Sequence, residues 1–378
     1  MRIEDFQAGR LVQQFQYRCF VPAAINHDWT WESRELTTAF ERAVKALAVL
    51  DACSEFVPDV NLFIRMHVMR EASASTRIEG TRTELEEAVL PENAVAAERR
   101  DDWREVNNYV AAMEWALDEL RRLPLTIRLL RGVHERLLAG ARGAKKFPGE
   151  IRRSQNWIGG VSIATARFVP PAPEYLPDLL GDLELFWHND RFAVPHLVRC
   201  AISHYQFETL HPFCDGNGRV GRLLIPLYLI DKGELALPSL YVSATLERHR
   251  GAYYDALTRV REKNDLAGWV AFFLDAMAET ARTGCAKFKK ISALRDEMRA
   301  YSEGIRNAAA AQKLLSHLYR EPRVTIRQVA AALACDYQSA RRLVRRLTAD
   351  GVLVVAEGAS RRDTLYDFRR YLDLFREE

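Results

Sequence analysis

Twelve consecutive residues, His211-Pro212-Phe213-Cys214-Asp215-Gly216-Asn217-Gly218-Arg219-Val220-Gly221-Arg222, hold a proton acceptor, a carboxylate, three glycines and two arginines in a fixed order. Gly216 and Gly218 let the backbone turn its N–H groups toward one point, and a helix starting there adds the positive end of its dipole, which together favour phosphate. Arg219 and Arg222, three apart, leave one helical face and can clamp an anion of several charges by bidentate hydrogen bonds. Asp215 at the mouth of such a nest would be repelled by phosphates unless a divalent cation lies between them. Mg²⁺ resolves this, since it binds through one or two carboxylates plus phosphate oxygens and waters. His211, with a reference pKa of about 6.5, suits a proton acceptor for an attacking hydroxyl. Base, metal carboxylate, anion nest and arginine clamp form a constellation for in-line transfer of a phosphorus-centred group, with catalysis by positioning and electrostatics.

Those residues need helices on both sides, and the sequence supplies them. Apolar residues recur at three- and four-residue spacing over 35–52, 102–122, 126–140, 175–188, 195–209, 218–232, 250–262 and 266–300. The fold class is mostly α. The exception is Phe147 to Pro173, where Pro148-Gly149, Gly159-Gly160 and Pro170-Pro171 punctuate β-prone runs, and a short hairpin is expected there, alone among helices. From Gly304 the pattern changes to helix, helix-turn-helix and hairpin, the layout of a small winged helix (α+β) over 304–378. Thr325 with Gln328 reads as a capping box, and Asp336 caps the helix Tyr337 to Thr348.

The chain has 378 residues, 54 Lys+Arg against 51 Asp+Glu and a formal net charge of +3, with 48% hydrophobic residues. That length exceeds what one core of roughly 250–300 residues organises, so two or more domains are expected. The apolar content excludes a disordered chain. No apolar run approaches the ~20 residues of a membrane span and the acidic N-terminus is unlike a signal peptide, so the cytoplasm is the expected location. The six cysteines form no C-x-x-C pair, which argues against zinc and a disulfide framework; they read as reduced thiols. The charge is unevenly divided, with a net of +4 over 308–378 and −1 elsewhere. Arg341, Arg342, Arg345 and Arg346 on the helix after the turn and Arg361 and Arg362 in the wing suggest phosphate contacts on DNA; protein docking is the alternative use of such a module.

The stretch His211 to Arg222 resembles the signature of Fic proteins, H-P-F-x-D/E-G-N-G-R-x-x-R, at every defined position. The resemblance runs over roughly residues 15–280, including Phe20-Val21-Pro22, the hairpin Gly149 to Pro171 and Tyr253-Tyr254 to Phe273. It implies a Fic-type helical bundle over 101–303 behind an N-terminal helical region 1–100, and a protein adenylyltransferase using ATP and Mg²⁺ to place AMP on a Ser, Thr or Tyr of a target protein. His211 would be the base and Asp215 the metal ligand. Gly216, Asn217, Gly218, Arg219, Val220, Gly221 and Arg222 would bind the phosphates, and Tyr254 would contact the adenosine. The hairpin at about 154–170 would be a flap that takes the target as an added strand. Self-modification and a homodimer are further partner expectations.

Ser75-x-x-x-Glu79-Gly80 resembles the family's inhibitory motif. Glu79 delivered to Arg222 would occupy the arginine needed by the γ-phosphate and leave ATP misaligned. Alternatives are that Glu79 orients a water for removal of AMP, that the site moves another phosphate-linked group, or that the chain is a DNA-binding regulator that senses ATP.

Overall fold

The structure, a computed structural model, describes residues 1–55, 61–80, 84–90, 92, 95–140, 142–356 and 364–376. Strands β1 (Gly9–Gln13) and β2 (Arg18–Pro22) form an antiparallel hairpin pairing Gly9 with Pro22. There follow helices α1 (Arg34–Glu55), α2 (Asn61–Ile78), α3 (Leu85–Ala88), α4 (Arg100–Leu120), α5 (Ile127–Leu137), α6 (Leu176–His188), α7 (His196–Leu210), α8 (Asn217–Asp231), α9 (Ser243–Arg248), α10 (Arg250–Lys263) and α11 (Leu266–Glu303). The C-terminal elements are α12 (Ala308–Arg320), β3 (Arg323–Thr325), α13 (Ile326–Leu333), α14 (Tyr337–Ala349), β4 (Val354–Val355), β5 (Leu365–Asp367) and α15 (Arg369–Arg376), with sheet order β3-β5-β4. Among the described residues the molecule is mostly helical, with two small sheets.

At the centre lie α7 and α8, buried on every side from Leu197 to Leu210 and from Asn217 to Leu229. A helix buried all round belongs inside, and several of the polar side chains on these two are bonded there: Arg199 to the Phe186 carbonyl, His204 to Tyr253 and the Gly221 carbonyl, Gln206 to the Ala23 carbonyl and Arg222 to Ser75 and Glu79. Helix α1 buries Leu36, Ala39, Ala43, Leu47 and Leu50 and packs along α11. Arg42 meets Asp275 and Cys53 meets Cys285, so these two helices run in the same direction. Caps fix the helix starts: Asp265 accepts from the Gly268 N–H, Thr126 from Leu129, Asp336 from Gln338 and Ser339, and Thr325 and Gln328 form a reciprocal box.

Three expectations need correction. Cys53 and Cys285 form a disulfide, with Cα atoms 5.8 Å apart, so not all six cysteines are reduced; the partners are 232 positions apart and only the packing of α1 on α11 brings them together. The β-structure at 154–170 is not alone, because β1 and β2 form a hairpin beside it and the Phe20 N–H donates to the Val169 carbonyl at 2.9 Å. Nor is it a ladder. A single antiparallel bridge joins Ile158 to Phe168, and Gly159 and Gly160, at φ 69° and 76°, lead into a 3₁₀ turn, Ile163–Thr165. Pro170 and Pro171 have no N–H to continue the pairing. Arg361 and Arg362, expected in a wing, lie outside the described residues.

Candidate active site

Helix α7 ends at His211, whose φ of 47° and ψ of 57° put it in the left-handed region. A non-glycine residue there is held by its surroundings. Arg152, 3% exposed, supplies the hold: its Nε donates to the His211 carbonyl at 2.9 Å and its Nη2 to the Pro171 and Leu210 carbonyls at 2.5 and 3.3 Å. Its own N–H donates to the Pro212 carbonyl at 2.9 Å. Asn156 adds Nδ2 bonds to the carbonyls of His211 and Phe213 at 3.2 and 3.0 Å. The loop and the flap are thus one hydrogen-bonded unit.

Asn217, the first residue of α8, pinches Phe213 with both ends of its amide at 2.8 Å. Phe213 in turn stacks on His134 of α5, with centroids 3.9 Å apart and planes 8° from parallel. The Gly149 N–H donates to His134 Nδ1 at 2.8 Å, so the ring proton lies on Nε2 and points to the Asp215 carbonyl at 3.0 Å. Burial pushes His134 down to about 4, which keeps this tautomer neutral. Gly216, at φ 74°, caps the helix in the left-handed region.

Arg222 is 1% exposed and is engaged by α2 and the residue beyond it: Nε donates to Ser75 Oγ at 2.8 Å, and Nη2 to the Ser75 carbonyl at 2.9 Å and to Glu79 Oε1 at 2.8 Å. Burial works against the charge on Glu79, yet Arg222 holds its carboxyl below the usual range. A Cβ on Gly218 would collide with Glu79 Oε1 and come within 2.9 Å of Arg222 Nη1. The carboxylate therefore lies in the notch formed by the first turn of α8. Arg219 is held by Glu105 of α4 at 3.3 Å and lies 3.6 Å from Asp215.

Burial pushes His211 down to about 4, with the Glu79 charge working against that shift. Its Nδ1 is buried and has no hydrogen-bond partner among the described residues. Asp215 is half-exposed, and its Oδ1 accepts the Gly216 N–H at 2.6 Å.

His211, Asp215, Gly216, Asn217, Gly218, Arg219, Arg222 and Glu79 are thus gathered around one loop and helix start. Two residues of the expected set are turned away. Val220 is buried in the apolar core and its N–H bonds the Gly216 carbonyl. Gly221 backs onto Glu208, whose carboxyl fills the space a Cβ would take. Tyr254 is 41% exposed, with the Arg250 guanidinium 5.9 Å from its ring centroid. Buried Tyr253 instead bonds His204, which bonds the Gly221 carbonyl, each at 2.9 Å. Arg261 bonds Thr209 at 3.2 Å and lies 3.9 Å over the Phe168 ring of the flap. Arg152, Asn156, His134, Glu105 and Glu208 escaped sequence reasoning, because each reaches the loop from a position that no local spacing marks.

Residues 37–118 match the Fic/DOC family N-terminal region, and residues 124–229, which contain the loop, match the Fic/DOC family proper. The chain thus carries both the N-terminal region and the central region that define Fic/DOC proteins. It is 30% identical over 190 residues to the protein adenylyltransferase Fic of Culex quinquefasciatus and 28% identical over 189 residues to that of Drosophila melanogaster, in each case 50% of this chain. The chain spans 35% of the length of these curated relatives. Among solved structures, a Fic family protein from Desulfovibrio desulfuricans G20 matches 90% of this chain and 97% of its own with a TM-score of 0.58 at 21% identity. Fic-1 from C. elegans matches 69% of this chain and 74% of its own with a TM-score of 0.53 at 22% identity. These likenesses establish the Fic fold, in which α7, the loop and α8 form the centre.

Proposed function

We propose that this Fic chain transfers AMP from ATP to a hydroxyl of a target protein and that Glu79 restrains it. The observation that carries this is the placement of the Glu79 carboxylate on Arg222, in the notch over Gly218, beside a His211 whose Nδ1 has no partner among the described residues. A carboxylate in an anion nest stands in for the phosphate the nest would take. With the phosphates in place, neutral His211 takes the proton of the target hydroxyl as its oxygen bonds to the α-phosphorus, and the bond to pyrophosphate breaks. Arg219 and Arg222 offset the charge on the departing phosphates.

Among the described residues no cluster of three metal-ligating side chains occurs, which fits a cation shared with phosphate better than a resident metal. Asp215, half-exposed at the mouth of the nest, suits such an Mg²⁺, which would supply charge neutralisation there. The target would dock on the flap. For residues 304–378 we propose a winged helix that contacts DNA through the exposed Arg342, Arg345 and Arg346 of α14. Duplex retention that weakens with salt tests that contact, and a response flat in salt points to a protein partner.

Intact-mass measurement after incubation with Mg-ATP and lysate tests the main proposal. Glu79→Gly should gain AMP on itself or a target, and His211→Ala in that background should lose it. Equal incorporation with and without Glu79 would remove the restraint.

A further inference from the structure

The residues that flank Glu79 in the chain are fastened to the C-terminal elements. On α2, the His67 ring meets Phe375 of α15 edge-on, with centroids 5.1 Å apart. Arg65 lies 3.8 Å from Glu321 at the end of α12, which packs along α2. On α3, beyond Glu79, the Glu86 carboxylate pairs with Arg376 of α15, and the Glu86 carbonyl accepts from Arg323 at 2.8 Å. Arg323 is locked to Asp367 of β5 by two bonds of 2.6 and 2.7 Å. Phe375 is 4% exposed, so the contact is a packed one.

A helix moves as a rigid body, so what fastens one part of α2 sets where its other residues lie. Ser75 and Glu79 reach Arg222 from the end of the helix whose earlier turns rest on α12 and α15. The packing is not continuous. A cavity of about 520 Å³ lies between α2, α9 and α15, with Arg70 and Arg77 of α2 on one wall and Phe375 and Arg376 on another. Space there leaves α2 room to shift once α15 lets go.

We infer that Phe375 and Arg376 are positioning residues for Glu79: by tying α2 and α3 to α15 they hold the carboxylate on Arg222, and release of α15 frees the nucleotide site. The inference rests on the role proposed above for Glu79. It makes the C-terminal module the element through which a partner acts on the nucleotide site.

The test uses the full chain as Phe375→Ala, Arg376→Ala and Arg376→Lys, each with Glu79 present and with Glu79→Gly, read by amide hydrogen exchange and by AMP incorporation. With Glu79 present, Phe375→Ala and Arg376→Ala should speed exchange over residues 64–80 roughly tenfold or more while α7 and α8 keep wild-type rates, and should raise AMP incorporation. In the Glu79→Gly background neither should add incorporation, and Arg376→Lys, which keeps a cation for Glu86, should stay near wild type. Unchanged exchange in α2, equal loosening of α7 and α8, or the same gain with and without Glu79 would each overturn the inference. Faster exchange in α2 with no AMP incorporation in any variant, Glu79→Gly included, would uphold the tie and overturn the transferase assignment.

Discussion

The Glu79 carboxylate and the Gly218 α-carbon share one notch: Oε1 stands where a side chain on residue 218 would begin, 2.8 Å from Arg222 Nη2. Glycine is required at 218 by what lies over it, since a methyl group there would meet the Glu79 carboxylate and the Arg222 guanidinium. On the role proposed for Glu79, the same notch lets a single acid govern a site of many residues.

Gly218→Ala should therefore be costly in a way that depends on Glu79. Inserting a methyl group into a filled site costs about 1–3 kcal/mol. In the Glu79→Gly background one of the two colliding groups is gone, so the cost should fall. Urea unfolding of the four proteins measures this, and equal penalties in both backgrounds would contradict the shared notch.

Arg152→Ala should uncouple the loop from the flap. It strips donors from the carbonyls of Leu210, His211 and Pro171 at once. Hydrogen bonds from a charged donor contribute about 1.5–3 kcal/mol each, so a loss of roughly 3 kcal/mol or more is expected. AMP incorporation by Glu79→Gly should fall with it, because His211 then lacks what holds its left-handed backbone. Chemical denaturation and the mass assay report the two effects separately.

Acid should destabilise the protein from about pH 6.5 downward. Burial holds His134 and His211 to about 4, His204 to about 3 and His67 well below its ordinary value. Between pH 6.5 and 4 the unfolded chain binds protons on these rings that the folded chain refuses, so stability falls as pH falls. Each ring contributes up to about 1.4 kcal/mol per pH unit. Glu208, pushed up to about 7 by burial, runs the other way between pH 4.5 and 7 and cancels about one of them. Urea midpoints from pH 7 to 5 should drop accordingly. AMP incorporation by Glu79→Gly should show no midpoint near 6.5 from His211.

Non-reducing peptide mapping should recover a Cys53–Cys285 linked peptide, with Cys19, Cys200, Cys214 and Cys335 free to alkylate after unfolding. Opening a link across 232 positions should cost up to about 5 kcal/mol. Alkylation of all six in the unreduced, unfolded chain would contradict the pairing.

The chemistry was legible because it is contiguous: His211 to Arg222 carries its meaning in order and spacing, and Ser75 to Glu79 in a second short run. What stayed hidden reaches the loop across the fold. Arg152 binds three carbonyls more than fifteen positions away, and His134 is set by a stack on Phe213 and a bond from Gly149. Val220 and Gly221 fall within the run that the resemblance ties to the phosphates, whereas helical geometry turns them to the core and to Glu208. Strands β1 and β2 are five residues each, too short for alternation to stand out, and the flap's prolines end a pairing that its β-prone residues suggested.

Loop 211–216 joins the tail of one buried helix to the head of the next. His211 sits at the carbonyl end of α7, where a positive charge is stabilised, and Gly216 to Gly218 at the amide end of α8, where a negative one is. The two partial charges are of opposite sign and fixed by the backbone, whatever side chains vary around them. In the proposed reaction, a proton moving toward residue 211 and phosphate-borne charge moving toward residue 218 would each be drawn the right way before any side chain acts. The loop is in that sense a polarised junction, and its polarity should outlast the exchange of one transferred group or acceptor for another.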